Sequence, residues 1–143
     1  MKGLFFLLLS AFVLVSCEKD FLFFWDRPEN MENDKFIYSS SPVFDVIAPS
    51  SVKYGDTISI QVRSVGNTGC SGFSHYNESK TGRNTVNLMV IQKQPKEVFC
   101  TMVLKTITSS YEFVPDERQQ YTFNFWRGEL HENDVITVQI KVR

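Results

Sequence analysis

The sequence predicts an all-β domain, an antiparallel two-sheet sandwich of about seven strands, and three observations carry that reading. Several segments alternate apolar and polar residues with period two, the mark of a strand with one buried face. Turn residues recur between them at short intervals, as they do in sandwiches. No segment sustains the 3.6-residue apolar period of an amphipathic helix.

The strands follow one another from Pro42 onward. Val43-Phe44-Asp45-Val46-Ile47-Ala48 comes first and is closed by Pro49-Ser50-Ser51. Gly55-Asp56 then turns the chain into Thr57–Arg63, where Ile58, Ile60 and Val62 share one face. Gly66-Asn67-Thr68-Gly69 is turn chemistry and leads to a strand near Ser71–Tyr76. After a turn at residues 79–84, Thr85–Gln92 places Val86, Leu88 and Val90 on one face, with Met89 and Ile91 making the other face unusually apolar. Beyond Gln94-Pro95-Lys96 the pattern predicts a strand over Val98–Ile107, with Val98, Cys100, Met102 and Leu104 together. Pro115–Arg118 punctuates again. Tyr121–Phe125 then alternates with its aromatics on one face, and Val135–Val142 turns Ile136, Val138, Ile140 and Val142 inward.

The first seventeen residues, MKGLFFLLLSAFVLVSC, have a different character. A single early Lys2, an apolar run from Gly3 to Val15 and a small residue before the cleavage point make a secretory signal. The run is shorter than the roughly twenty residues that cross a bilayer as a helix. It closes on Leu14-Val15-Ser16-Cys17, which resembles the bacterial lipobox. That resemblance implies that Cys17 carries the lipid and becomes the mature N-terminus; a retained span and a plain signal peptide are the alternatives. Glu18-Lys19-Asp20 resembles the surface-export signals of Bacteroidota lipoproteins, and Glu after the Cys, in place of Asp, points to the outer membrane, with the leaflet open.

The expected organisation is therefore a signal peptide over 1–16, a lipidated tether over 17–41 and the sandwich domain over 42–143. Residues 21–25, Phe-Leu-Phe-Phe-Trp, have no alternation and fit either a first strand or a segment at the membrane interface.

Composition narrows the function classes. Losing residues 1–16 removes only Lys2 from the charge count and leaves 14 basic against 16 acidic residues. A near-neutral chain without a basic stripe argues against nucleic acid. Thirteen Phe among 143 residues supply enough apolar bulk for a core, which argues against disorder.

Three cysteines divide between two tasks. Cys17 goes to lipid, and Cys70 and Cys100 remain as a pair in an exported, oxidising setting that favours a disulfide. Two free thiols or half of a metal site are the competing readings. Without a CxxC or a nearby His, the pair makes a poor zinc site.

The order of features from Pro42 to Arg143 resembles the immunoglobulin-like domains common in exported Bacteroidota lipoproteins. It rests on a Gly-Asn turn before Cys70, on Phe99-Cys100-Thr101, and on Phe113-Val114-Pro115 before Tyr121-Thr122-Phe123. The chain departs from antibody-type domains in having no Trp between the two Cys, and in placing Asp116 five residues before Tyr121.

Enzyme motifs are mostly missing: there is no GxSxG elbow, no Gly-rich phosphate loop and no HExxH. His131-Glu132-Asn133-Asp134 begins like the last of these, but Val135 stands where a His is required. A Cys70–His131 nucleophile pair needs an unpaired Cys70. Glu29, Glu32 and Asp34 lack the spacing of a calcium loop. No catalytic residue, metal or cofactor is expected.

Phe73, Tyr76, Trp126 and Arg127 are the candidate binding residues, because aromatics that break a strand's alternation beside Arg are typical of binding surfaces. The expected function is a lipid-anchored cell-envelope module that binds a protein or glycan without catalysis. The alternative is an exported peptidase inhibitor of β-sandwich type.

Overall fold

A computed structural model describes residues 35–128 and 134–143. Nine strands follow in chain order: β1 (Phe36–Ser41), β2 (Val43–Ile47), β3 (Ser51–Val52), β4 (Ile58–Gly66), β5 (Gly72–Thr81), β6 (Thr85–Pro95), β7 (Lys105–Phe113), β8 (Gln120–Trp126) and β9 (Val135–Val142). No helix occurs among the described residues. The larger sheet runs β1-β6-β8-β9-β3 with β5 on the other edge of β6, and the smaller runs β2-β4-β7. The two sheets face each other as a sandwich, as the alternation requires.

The alternating faces meet in one core. Ile58, Ile60 and Val62 from β4 pack with Val86, Leu88 and Val90 from β6. Tyr121, Phe123 and Phe125 from β8 and Ile140 and Val142 from β9 join them, as the period-two reading predicts. Tyr111 and Phe113 of β7 set edge-on rings against Phe123, at 6.1 and 5.4 Å between centroids. Edge-to-face pairs of this kind add to the area they bury.

Three features differ from the sequence reading. The sheets are not wholly antiparallel, because β6 pairs β8 and β3 pairs β9 in parallel. After β6 the chain crosses to the other sheet as β7 and returns as β8, so β8 runs in the direction of β6, and parallel neighbours need such a crossover. Second, β1 occupies residues 36–41 within the segment assigned to the tether, pairing Phe36 with Pro95 through Ser41 with Val90. Its Phe-Ile-Tyr-Ser-Ser-Ser run alternates too weakly to announce a strand. Third, the strand expected over Val98–Ile107 does not form. Residues 96–104 are a loop, and β7 starts at Lys105, which pairs Gly66 at the last position of β4. Beyond Gly66 the partner strand turns away, so residues 98–104 have no ladder to join.

Cys17, residues 21–25, Glu29, Glu32, Asp34 and His131 lie outside the described residues.

Candidate binding loop

The end of the sandwich where β4, β6 and β7 meet is built on a rigid turn. Residues 66–71 connect β4 to β5, and the buried Gln92 side chain on β6 braces them. Its Oε1 accepts from the Asn67 N–H at 3.1 Å, and its Nε2 donates to the Ser40 carbonyl at 3.1 Å. Within the turn, the Thr68 N–H donates to Ser71 Oγ at 3.1 Å and the Ser71 N–H to the Thr68 carbonyl at 3.1 Å. Gly66 is required here, because a Cβ would meet Ser71 Cβ at 2.7 Å and Ile107 Cδ1 at 3.1 Å. A buried polar side chain with both ends satisfied specifies one arrangement of the segments it joins.

Two fastenings tie loop 96–104 to this turn. Cys70 and Cys100 form a disulfide, with 5.6 Å between their Cα atoms. One residue away on each side, the Gly69 N–H donates to the Thr101 carbonyl at 3.0 Å. At the other end of the loop, the Lys96 N–H donates to the Lys35 carbonyl at 3.1 Å, beside the first residue of β1.

What the fastened loop presents is apolar. Val98 is 55% exposed, Phe99 108%, Met102 88%, Val103 64% and Leu104 71%. Burying a side chain of this kind is worth about 1.5–3 kcal/mol, and here five of them forgo it within seven residues. Five exposed apolar side chains close together in sequence on a braced loop make this segment the candidate contact element. Sequence reasoning placed the whole segment in a strand over Val98–Ile107, with Val98, Met102 and Leu104 sharing one face, and named none of these residues as a binding candidate. The available signal was Met102-Val103-Leu104, three consecutive apolar residues that no half-buried strand accommodates on one face.

The residues singled out from the sequence go elsewhere. Phe73 and Tyr76 both pack against the core. A register shift between Phe73 and His75 inserts one extra residue in β5, so a three-residue spacing returns to the same face. Tyr76 also hydrogen-bonds Ser109 Oγ at 2.7 Å and sets its ring edge-on to Tyr111 at 5.2 Å. Burial raises its pKa. Trp126 follows the buried Phe125 and so faces away from the core. Arg127 is exposed and ion-paired with Asp134 at 3.1 Å, closing the connection from β8 to β9. Phe73 and Tyr76 therefore lie on the opposite face of the sheet from Trp126, and the four form no common surface.

Titratable groups serve packing. The Tyr111 hydroxyl donates to Glu78 Oε2 at 2.8 Å, and burial, followed by that carboxylate, pushes its pKa well above the tyrosine range. Cys70 spends its thiol on the bridge. Among the described residues no group of three His, Cys, Asp or Glu converges as a metal site would require.

The opposite end carries a shallow cavity of about 290 Å³ lined by Lys80, Arg83, Phe113, Asp116, Glu117 and Tyr121. Three of its polar groups are committed to one another. The Tyr121 hydroxyl donates to Asp116 Oδ1 at 2.5 Å and accepts from the Glu117 N–H at 3.1 Å. That hydroxyl, ahead of the backbone N–H donors and Lys80, holds the Asp116 carboxyl below the usual carboxylate range.

The family model of the ORF11 beta-sandwich domain matches residues 60–142, more than half of the 143 residues. No curated protein and no solved structure matches the chain. The matching segment runs from within β4 to the end of β9 and includes both the turn and the loop that the disulfide joins; the chain belongs to the ORF11 beta-sandwich domain family.

Proposed function

We propose that this chain is an exported, lipid-anchored cell-envelope protein of the outer membrane, held by Cys17, whose sandwich is a non-catalytic binding module. Its contact element is the loop from Lys96 to Leu104. One observation carries the reading: five apolar side chains stand in solvent on a loop fastened at Cys100 and Thr101. A fastened loop loses less freedom on binding than a loose one, so more of the contact energy appears as affinity.

The immunoglobulin-like character of the sandwich belongs to the same proposal. The Tyr121 hydroxyl meets the Glu117 backbone four residues upstream, near the start of β8, as a tyrosine corner does. The disulfide departs from the antibody pattern, since it joins a turn to a loop.

A photo-crosslinking amino acid at Phe99 tests the reading in cells, with intact-mass measurement of the recovered chain. The expected result is a lipid-bearing Cys17 and an envelope adduct at position 99 that the same group at Ser110, on the outer face of β7, does not give. An unmodified Cys17, or equal adducts at both positions, overturns it.

The second reading is an exported peptidase inhibitor. The placement of Phe99 favours it, since a fully exposed side chain beside a bridged Cys is the arrangement in which cleaved ends stay joined. Inhibition of a chymotrypsin-like peptidase that is lost in Phe99→Ala would establish it.

A further inference from the structure

We infer that the fastened loop docks on the lipid surface to which the chain is anchored, with Phe99, Met102, Val103 and Leu104 entering the boundary between headgroups and acyl chains. The inference rests on the anchored reading above and gives its contact element an occupant.

The place where the chain enters the domain carries the argument. Lys35, the first described residue, accepts a hydrogen bond from Lys96 at the base of the loop, and Phe36 pairs Pro95. The segment leading from Cys17 therefore joins the sandwich at the end that presents the apolar loop. The eleven residues of β6 make the sandwich about 35 Å long at a strand's rise per residue. A chain entering at the other end would have to run that length to bring this loop to the membrane. Here residues 18–34 span at most about 60 Å even when fully extended, which keeps the loop at high effective concentration near the surface.

The surroundings of the loop fit the same occupant. Lys35 and Lys105 are exposed at its two ends, and Lys93 lies two residues before Pro95 with its Nζ 5.3 Å from the Phe36 ring centroid. Lysines beside an inserted apolar group place their stems along it and their ammonium groups at the headgroups. Residues 18–34 carry six acidic against two basic residues, so the apolar side chains lead and the lysines assist. A soluble protein partner is the competing occupant; nothing in the fold makes it share an end with residue 35, whereas a membrane contact is favoured by it, because the tether then has no need to run the length of the sandwich.

The test uses the mature lipidated protein purified from cells and reconstituted in phosphatidylethanolamine/phosphatidylglycerol vesicles. An environment-sensitive fluorescent amino acid replaces Phe99 in one preparation and Ser110 in another, and brominated lipid serves as quencher. Insertion predicts about twofold or greater quenching at position 99, little at 110, and loss of the effect when Met102, Val103 and Leu104 are all changed to Ser. An unchanged melting temperature and an intact bridge show that each variant is folded. Equal, weak quenching at both positions with Cys17 lipid-modified overturns the inference and leaves the anchored binding module standing, with a protein as its partner. An intact mass showing Cys17 unmodified overturns the anchored reading instead.

Discussion

The two ends of the sandwich are fastened by different chemistry and leave different surfaces. At one end Tyr121, Asp116 and Glu117 satisfy one another, Asn84 Nδ2 donates to the Gln120 carbonyl at 2.9 Å, and the Arg118 guanidinium lies 5.3 Å from the Tyr54 ring centroid. Apart from the buried Tyr121, the residues that hold the chain there, Asp116, Glu117 and Arg118 among them, also face solvent. At the other end the holding is done by a bridge, a backbone hydrogen bond and the buried Gln92, none of which uses the outward side chains. The side chains of Val98, Phe99, Met102, Val103 and Leu104 are thereby released from any structural duty. Where the fastening is separate from the surface, the surface is available for something else.

The sharpest way to break the contrast is to remove the bridge. Cys100→Ser, or reduction, should lower unfolding stability by about 3–4 kcal/mol, the chain-entropy value for a loop of about thirty residues. Denaturant unfolding with and without reductant measures it. A loss below about 1 kcal/mol would show that Gly69, Thr101 and Gln92 hold the loop alone.

At the opposite end, Tyr121→Phe should cost about 1–2 kcal/mol, because it leaves the Glu117 N–H and the Asp116 carboxylate without their partner. The same pair sets an acid limb. A carboxyl whose folded pKa lies below its unfolded value of about 4 stabilises the fold above that value and loses the contribution as pH falls through the folded pKa. Asp116→Asn should therefore flatten the fall in stability below pH of about 4. Thermal melts across that range decide it, and an unchanged acid limb would detach Asp116 from the effect.

The smallest effect is the most telling. Changing Phe99, Met102 and Leu104 together to Ser should alter unfolding stability by no more than about 0.5 kcal/mol, the range of surface substitutions. A large loss would mean that these side chains belong to the core.

Most of the fold was legible because alternation reports a buried face directly. Ile58, Ile60 and Val62, the aromatics of β8, and Ile140 and Val142 all fall where period two puts them. The pairing of Cys70 with Cys100 followed from redox setting and elimination. The loop was illegible for the same reason that the strands were clear: Val98, Cys100, Met102 and Leu104 alternate by coincidence. What decides against a strand there is the end of the partner at Gly66, a tertiary fact. Phe73 and Tyr76 were misplaced by a bulge, which shifts parity without leaving a residue type to mark it. The parallel pairing of β6 with β8 depends on a crossover through the other sheet, and no local pattern encodes that.

The register of β1 has a mechanical consequence. Its six residues lie antiparallel along β6 with Phe36 at the end where the chain enters. Hydrogen bonds of an antiparallel ladder run across the strands. A pull on Lys35 directed out of that end therefore acts along β1 and loads its rungs together in shear, where a pull from the side would open them one after another. The domain meets tension from its N-terminal side in its stronger direction.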